Sequence, residues 1–341
     1  MENALVIAAR TKRGPVARVL DRTLAATAWL AVLAVMVAWL FPDDRAWTGA
    51  AYDRLAWLVF LAKSLGVQAA VPLAGFAVLA IVRRRWVTAS VLVGLVVFLA
   101  LPVLDVTEHR RPSGPASFRV MSANVLYENT DVDRVLAQVQ QVNPDVLLLQ
   151  EYTKRWHADA DARLRNSFPF VADRSVLGSD GVAVYSKLPI VGRARLLDLG
   201  DPHRLQTRAV VRVGGRDIAV YDIHLTVAVK PVGHVEQRRQ VPELVKVLEH
   251  EQLPMIVAGD MNFTETSRHH AAIAGVGLRS GWDEVGRGRG STWARRGLPE
   301  WLPGLRLDHM FLSPGITVDG MRIGARNGSD HRPIYADLRL R

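Results

Sequence analysis

Three long apolar runs without a charged residue stand in the first third of the chain. They cover Leu24–Phe41, Ser64–Val82 and Trp86–Leu104, and the second run can extend back to Leu55 if Lys63 reaches toward an interface. A helix needs ~20 apolar residues to cross the hydrocarbon core of a bilayer. The pattern therefore predicts an N-terminal membrane region, residues 1–104, with transmembrane helices at about 24–41, 59–82 and 86–104. Buried helices of a soluble protein are the alternative for all three runs, and a cleaved signal peptide is the alternative for the first.

The distribution of Lys and Arg predicts the orientation of these helices. Five basic residues precede the first run, and Arg83-Arg84-Arg85 forms the turn between the second and third runs. The loop between the first two runs instead holds three Asp against two Arg. Because basic loops remain in the cytoplasm, we expect the N-terminus inside and everything after Leu104 outside the cytoplasmic membrane.

A different pattern follows the membrane region. Residues 105–117 are rich in Pro, Gly, Ser and charges without periodicity, which predicts a linker. From residue 118 to 341, short β-type runs alternate with helical ones, which favours an α/β or α+β domain. Val132, Val135, Leu136 and Val139 have helical spacing after Thr130 as a possible N-cap, and a second helix is expected over about 235–250. The Gly214-Gly215 pair predicts a tight hairpin turn.

Composition narrows the possible chemistry. The 341 residues include no Cys, which excludes a disulfide scaffold, a Cys zinc site, an iron–sulfur cluster and a thiol nucleophile. The net charge is +10, but residues 1–111 hold 13 basic and 7 acidic side chains, which leaves 30 and 26 for the remainder. More than half of the excess charge therefore belongs to the membrane region rather than to a nucleic-acid surface.

Polar residues follow several apolar strands at the point where each strand ends. A single Asp or Asn at such a place usually starts a turn, but six segments that end in this way predict one shared acidic pocket. Carboxylate and amide oxygens suit Mg²⁺ or Mn²⁺, and imidazole and amide N–H groups suit a phosphate anion. The residue types favour metal-assisted phosphoester hydrolysis. The positions are Asn124, Glu151, His224, Asp260, Asn262, Asp308, Asp330 and His331.

The domain resembles the endonuclease/exonuclease/phosphatase superfamily, which has the DNase I-like fold. The resemblance covers residues 118–341, and seven short motifs carry it in the family's order. It implies an α/β (α+β) two-sheet sandwich with the active site at one end of the sheets. The motifs are RVMSANV, NPDVLLLQE, DGVAVYSK, YDIHL, VAGDMN, LRLDHMFLS and SDHRPIYADL.

The resemblance also implies a metal site. Glu151 corresponds to the principal Mg²⁺ ligand, Asn124 lies beside it on metal or phosphate, and Asp330 is a second aspartate near the metal. Mn²⁺ is the alternative ion.

Five further positions correspond to residues that act on the phosphate. His331 resembles the histidine that activates water or stabilises the phosphorane, and Asp308 resembles the carboxylate that orients it. Asp260 corresponds to the acid/base aspartate, with Asn262 and His224 as phosphate-binding neighbours. Family members differ on whether the Asp or the His is the base, so both assignments remain open.

The substrate is predicted from the tether and from one loop. Residues 286–305 mix four Arg with Trp293 and Trp301, which indicates either contact with anionic lipid or an ordinary loop that covers the sheet. We expect a membrane-tethered, multi-pass phosphoesterase that cleaves a phosphodiester, phosphomonoester or pyrophosphate of a lipid-linked substrate at the bilayer surface. An extracytoplasmic nuclease and a catalytically silent phosphate-binding membrane module are the alternatives. No obligate protein partner is inferred.

Overall fold

The computed structural model describes residues 14–45, 47–101, 117–294 and 304–341. Its contacts divide the chain into two units: residues 14–40 with 66–101, and residues 41–65 with 117–341. Four helices precede the sheets. They are α1 (Pro15–Leu40), α2 (Ala50–Ser64), α3 (Gly66–Val82) and α4 (Trp86–Ala100).

The first unit contains α1, α3 and α4. Helix α1 is the one described helix that is by itself long and apolar enough to cross a membrane, and α2 with α3 form a second candidate that is bent by 69°. The predicted helix over 59–82 is therefore broken at Leu65, and α4 is a shorter apolar helix of 15 residues. The described helices thus give one or two candidate spans rather than three. Arg83, which follows α3, binds Asp21 of α1 at 3.2 Å from Nε.

The second unit is built on two sheets of six strands each. The first sheet has the order β11-β12-β1-β2-β4-β3, with β1 (Phe118–Asn124), β2 (Val146–Gln150), β3 (Phe170–Arg174), β4 (Val182–Ser186), β11 (Ile316–Ile323) and β12 (Ile334–Leu340). The second has the order β5-β6-β7-β8-β10-β9, with β5 (Arg195–Leu197), β6 (Gln206–Val213), β7 (Arg216–His224), β8 (Met255–Asp260), β9 (Arg279–Ser280) and β10 (Asp308–Leu312).

The sheets pack face to face, and helices cover their outer faces. Val120 and Leu148 of the first sheet meet Val220 and Ile256 of the second in the central core. This arrangement confirms the predicted two-sheet α/β sandwich. The helices of this domain are α5 (Val132–Val142), α6 (Lys154–Arg165), α7 (Pro231–Glu249), α8 (Arg268–Gly275) and α9 (Gly281–Val285).

Local predictions hold with small shifts. The hairpin at Gly214-Gly215 joins β6 to β7, with φ +55° and +83° at the two glycines. Helix α5 begins one residue later than expected, since the carboxylate of Asp131, and not Thr130, accepts the cap hydrogen bond from the Arg134 N–H. The predicted linker lies outside the described residues except for Ser117.

The segment from Phe41 to Leu65 differs most from the sequence-based boundary, because it belongs to the unit that contains the sheets. Phe60 of α2 is buried in the core between the second sheet and helices α7 and α8. Lys63 forms a buried ion pair of 2.7 Å with Asp43. Sequence alone assigned residue 59 onward to a membrane helix, since the apolar side chains that cover a protein core and those that face lipid have the same composition.

Candidate active site

Strand direction brings the predicted residues to one end of the sandwich. Strands β1 and β2 are parallel, as are β7 and β8, so Asn124, His224 and Asp260 all stand at carboxyl ends on the same side. Strand β10 runs antiparallel to β8, which places its first residue, Asp308, opposite Asp260. Glu151 follows β2 directly and has a positive φ of 57°. All of these side chains are buried or nearly so.

Asn124 joins the two sheets through its amide. Its Nδ2 donates to Glu151 Oε1 and to Asp260 Oδ2, at 2.9 Å each. The other Glu151 oxygen accepts the Tyr127 backbone N–H at 2.9 Å. Burial raises the pKa of the Glu151 carboxyl, while the hydrogen bonds from Tyr127 and Asn124 oppose this shift. Asn124 therefore fixes the separation between two carboxylates that would otherwise repel each other.

His331 forms a buried charge pair with Asp308. Its Nδ1 lies 2.8 Å from Asp308 Oδ2, and its Nε2 lies 3.5 Å from Asp260 Oδ2. Burial disfavours the imidazolium, but Asp308 and Asp260 outweigh it and raise the pKa of His331 to about 10. The Asp308 backbone N–H is held by the hydroxyl of Thr292 at 3.1 Å. The site therefore presents a cationic ring, oriented by Asp308, beside Asp260.

Asp260 and Asn262 form a turn after β8. The Asn262 backbone N–H donates to Asp260 Oδ1 at 3.0 Å, and its side-chain amide donates to the Leu225 carbonyl at 3.0 Å. Asn262 has a φ of +53°, a conformation that asparagine tolerates better than most residues. Burial raises the pKa of Asp260, and the nearby Asp308 adds to this shift against the opposing charge of His331.

His224 is neutral in this environment. Burial, together with the charges of Arg204 and His331, holds its pKa well below the usual value. Its Nε2 lies 3.7 Å from Asp260 Oδ2 and 4.0 Å from Glu151 Oε1. Arg204, whose Nη1 lies 3.3 Å from His224 Nδ1, was not predicted, because it stands in a loop without a motif.

Asp330 occupies a different part of the site. Its Oδ2 accepts the indole N–H of Trp293 at 3.0 Å, and its Oδ1 is buried without a hydrogen bond among the described residues. Ser329 donates its hydroxyl to the Asn124 carbonyl at 2.8 Å, which connects the SDH turn to the end of β1. Sequence reasoning left Trp293 either in contact with lipid or in an ordinary loop that covers the sheet, and the structure places it in the lining of the cavity.

One group of side chains fits a divalent cation. Ligand atoms of Glu151, His224 and Asp260 lie within 4.8 Å of one another, and they combine two carboxylates with a neutral imidazole. A second group of Asp260, Asp308 and His331 has the same spacing and shares Asp260 with the first. Of the members of the first group, Glu151 was predicted as a metal ligand, whereas His224 and Asp260 were predicted to act on the phosphate.

The loop over 286–305 is only partly available to a lipid surface. Arg289 is buried, and its guanidinium binds Glu265 at 3.0 Å and the Ser64 carbonyl at 3.0 Å. It therefore supports the α2 segment rather than lipid phosphates. Residues 295–303, among them Trp301, lie outside the described residues.

Comparison with known proteins identifies the family. Residues 121–331 match the Endonuclease/Exonuclease/phosphatase family. The chain belongs to this family. A UPF0294 protein of Vibrio campbellii is 27% identical over 232 residues, which are 65% of this chain and 77% of that protein.

Solved structures with this family's fold resemble the sheet domain. An endonuclease/exonuclease/phosphatase from Bacteroides vulgatus has a TM-score of 0.57 at 19% identity, over 66% of this chain and 99% of its own. A 3′ phosphatase from Neisseria, bound to a product DNA hairpin, has a TM-score of 0.55 at 19% identity, over 65% and 100%. D. rerio TDP2 with a single-strand DNA product has a TM-score of 0.53 at 19% identity, over 65% of this chain and 99% of its own. The predicted class, a metal-dependent phosphoric ester hydrolase of the endonuclease/exonuclease/phosphatase type, is confirmed.

Proposed function

We propose that this protein is a membrane-tethered phosphoesterase that uses a divalent cation, preferably Mg²⁺, and hydrolyses a lipid-linked phosphodiester, phosphomonoester or pyrophosphate. The observation that carries the chemistry is the juxtaposition of the Glu151–His224–Asp260 group with the His331–Asp308 pair. The first group holds the cation, and the second supplies a fixed positive charge.

The cation would be held by Glu151, with His224 and Asp260 close enough to contribute. When bound, it supplies positive charge for the phosphate oxygens. Neutral His224 offers a lone pair or an N–H group there, depending on its tautomer. Asn124, whose amide donates to Glu151 and Asp260, and Asp330, which lines the cavity, remain proposed contributors.

His331 is proposed to stabilise the charge that develops on phosphorus. As an imidazolium oriented by Asp308, it donates from Nε2 toward the cavity, and donors that are fixed in advance stabilise a transition state without reorganisation. This charge makes it a poor base.

Asp260 is proposed to take the proton from the attacking water. Its pKa is raised by burial, which brings it closer to working pH, where a general base is most effective. Asn262 holds the carboxylate in place through its backbone N–H and its side-chain amide, and its contact with the phosphate remains a proposal.

Replacement of Glu151 by Gln tests the metal mechanism. With the full chain in lipid nanodiscs, we expect Glu151→Gln to lose at least ~10²-fold in turnover of a chromogenic phosphodiester, on the scale of other lost catalytic groups. It should also lose the rise in melting temperature that Mg²⁺ or Mn²⁺ gives the wild type. Glu249→Gln, at an exposed position at the end of α7, is the matched control. Activity that resists EDTA, or a Glu151→Gln variant as active as the control, would contradict the proposal. A protein that the metal stabilises but that shows no turnover would favour the catalytically silent phosphate-binding module.

The membrane topology is proposed from chain connectivity. Residues 41–65 share a unit with the sheets, so they lie on the same side of any membrane as the catalytic domain. An even number of crossings must then separate Leu65 from Phe118, and α3 and α4 supply two. With α1 as the first crossing, the Arg83-Arg84-Arg85 turn faces the cytoplasm and the catalytic domain faces outward. The contact of Arg83 with Asp21 supports this arrangement, because it joins that turn to the first part of α1.

Nucleic acid is the second candidate substrate, since two of the similar structures contain DNA. Assays of the full chain on plasmid DNA and on a phosphorylated lipid in nanodiscs distinguish the two. We expect the lipid to be cleaved faster, because tethering raises its effective concentration at the site. Mg²⁺-dependent nicking of plasmid without lipid turnover would establish the nuclease.

A further inference from the structure

The catalytic cavity has a second, apolar side that the phosphoesterase chemistry does not use. Its volume is about 330 Å³, and aliphatic and aromatic side chains line it together with the charged groups. Three of these come from the α2 segment, residues 41–65, which lies outside the matched family region. The apolar wall consists of Phe60, Leu61, Leu65, Val227, Val229 and Leu307.

The α2 segment is fixed to the domain by polar contacts on both sides of this wall. The indole N–H of Trp57 donates to the Ala228 carbonyl at 3.1 Å. The Thr266 hydroxyl donates to the Lys63 carbonyl at 3.0 Å, at the other end of the helix. Arg238 binds the Arg45 carbonyl at 2.7 Å and also pairs with the Asp53 carboxylate. The wall is therefore a built part of the cavity and not a loose surface.

Part of the wall is open to solvent. Leu65 is 43% exposed, Val227 47% and Val229 64%. Apolar side chains that line the entrance of a polar site mark a place where an apolar ligand group is bound. Among the described lining residues the one Arg or Lys is Arg204, which already pairs with Asp180. A polyanion depends on many free cations for its affinity, so the described lining favours a ligand with one phosphate group and a hydrocarbon chain.

We propose that the apolar wall is a subsite for a hydrocarbon chain esterified to the scissile phosphate, and that Leu61 and Leu65 determine specificity for it. The proposal rests on the proposed function, because the phosphate must lie at the Glu151–His224–Asp260 group for the chain to reach α2. The cavity is near the lower end of the range for small-ligand sites, ~300–1,000 Å³. It therefore takes the phosphate and the first methylenes, and a longer chain leaves past Val227 and Val229.

Binding of unreactive alkylphosphonates tests the subsite without turnover. Ethyl-, butyl-, hexyl- and octylphosphonate are titrated by calorimetry into the full chain in nanodiscs with Mn²⁺, and empty nanodiscs correct for partition. For the wild type we expect Kd to fall by up to about fourfold for each methylene that reaches the wall. In Leu61→Gln and Leu65→Gln this dependence should be lost, with the largest loss for the octyl compound. Leu58→Gln, which alters an exposed position of the same helix outside the cavity, should keep the wild-type slope.

The outcomes separate this inference from the proposed function. A wild-type Kd that is independent of chain length, or equal slopes in the wild type and in Leu61→Gln and Leu65→Gln, would overturn the subsite. The matching alkyl 4-nitrophenyl phosphates are assayed in parallel. Chain-dependent binding without hydrolysis of any ester would refute the phosphoesterase but support the subsite. Hydrolysis at a rate and KM that do not depend on chain length would support the phosphoesterase but refute the subsite.

Discussion

Acidification should release α2 from the catalytic domain, because two buried histidines lie beneath it. The ring of Phe60 lies 4.9 Å from the His234 ring and 6.3 Å from the His269 ring, between centroids. Both His234 nitrogens and His269 Nε2 lack a hydrogen-bond partner among the described residues. A proton on either ring would thus place a charge in an apolar contact.

The size of the effect follows from the pKa values. Burial is the main cause that lowers the pKa of both rings to about 3, and the positive charges of Arg238 and Lys63 lower both values further. For His234, the neighbouring His269 also lowers the pKa, whereas the carboxylate of Asp53 raises it. An undocked imidazole has a pKa of ~6.5, so the released state binds more protons as pH falls below that value. At pH 5 the free energy that favours the docked state over the released state falls by on the order of 2 kcal/mol for each ring, or about 4 kcal/mol for both. This stability is present above pH ~6.5 and is lost progressively toward pH 3.

Hydrogen exchange of peptides that cover residues 50–64 measures this release directly. After correction for intrinsic exchange rates, protection at pH 5 should be about 10³-fold lower than at pH 7.5, which is the above free energy expressed as a ratio. A His234→Leu/His269→Leu variant should lose most of this pH dependence, while His250→Gln, at an exposed position at the end of α7, should retain it. Equal loss of protection in the double variant and the wild type would refute the assignment to these two rings.

Two further substitutions test the ion pairs that the structure contains. Lys63→Met leaves the buried carboxylate of Asp43 in the same segment without its closest partner and should destabilise the folded α2 segment by about 3 kcal/mol, measured by the same exchange experiment, whereas Lys246→Met in an exposed pair should change it by less than ~1 kcal/mol. Asp308→Asn should reduce kcat less than His331→Gln does, because it orients the ring without donating to the phosphate. An Asp308→Asn variant as inactive as His331→Gln would show that Asp308 handles protons itself.

The sequence predicted the chemistry of the site better than its geometry. Strand ends could be read from apolar runs that stop at a polar residue, so Asn124, Asp260 and Asp308 were found together. The ionisation of His331 could not be read in this way, since it depends on the 2.8 Å contact with Asp308, which is 23 positions away in the chain. Arg204 was missed and the place of Trp293 was left open for the same reason: loops bring both residues to the cavity, and loop paths leave no periodic signal.

The boundary of the domain shows where hydrophobic patterning fails in principle. Phe60, Leu61 and Leu65 resemble lipid-facing residues because burial against a protein and burial in a bilayer both select apolar side chains. The distinguishing evidence is polar: Lys63 is a charge that a membrane helix carries at high cost, and here it pairs with Asp43 of the preceding loop. Asp53, earlier in α2, pairs with Arg238 of α7 and so joins the helix to the sheet domain. A charged residue inside an apolar run is therefore a signal to test for docking onto a neighbouring domain before a span is assigned.

Chemistry and selectivity come from different parts of this chain. The residues proposed to contact phosphate and cation all lie within the matched region, 121–331. Three residues of the apolar wall lie at positions 60–65, outside that region. Family membership therefore supports the class of reaction but not the substrate, because part of the proposed wall comes from a segment that the family match does not cover. If the alkylphosphonate slopes depend on Leu61 and Leu65, substrate choice in this protein depends on the packing of α2 against the sheet domain.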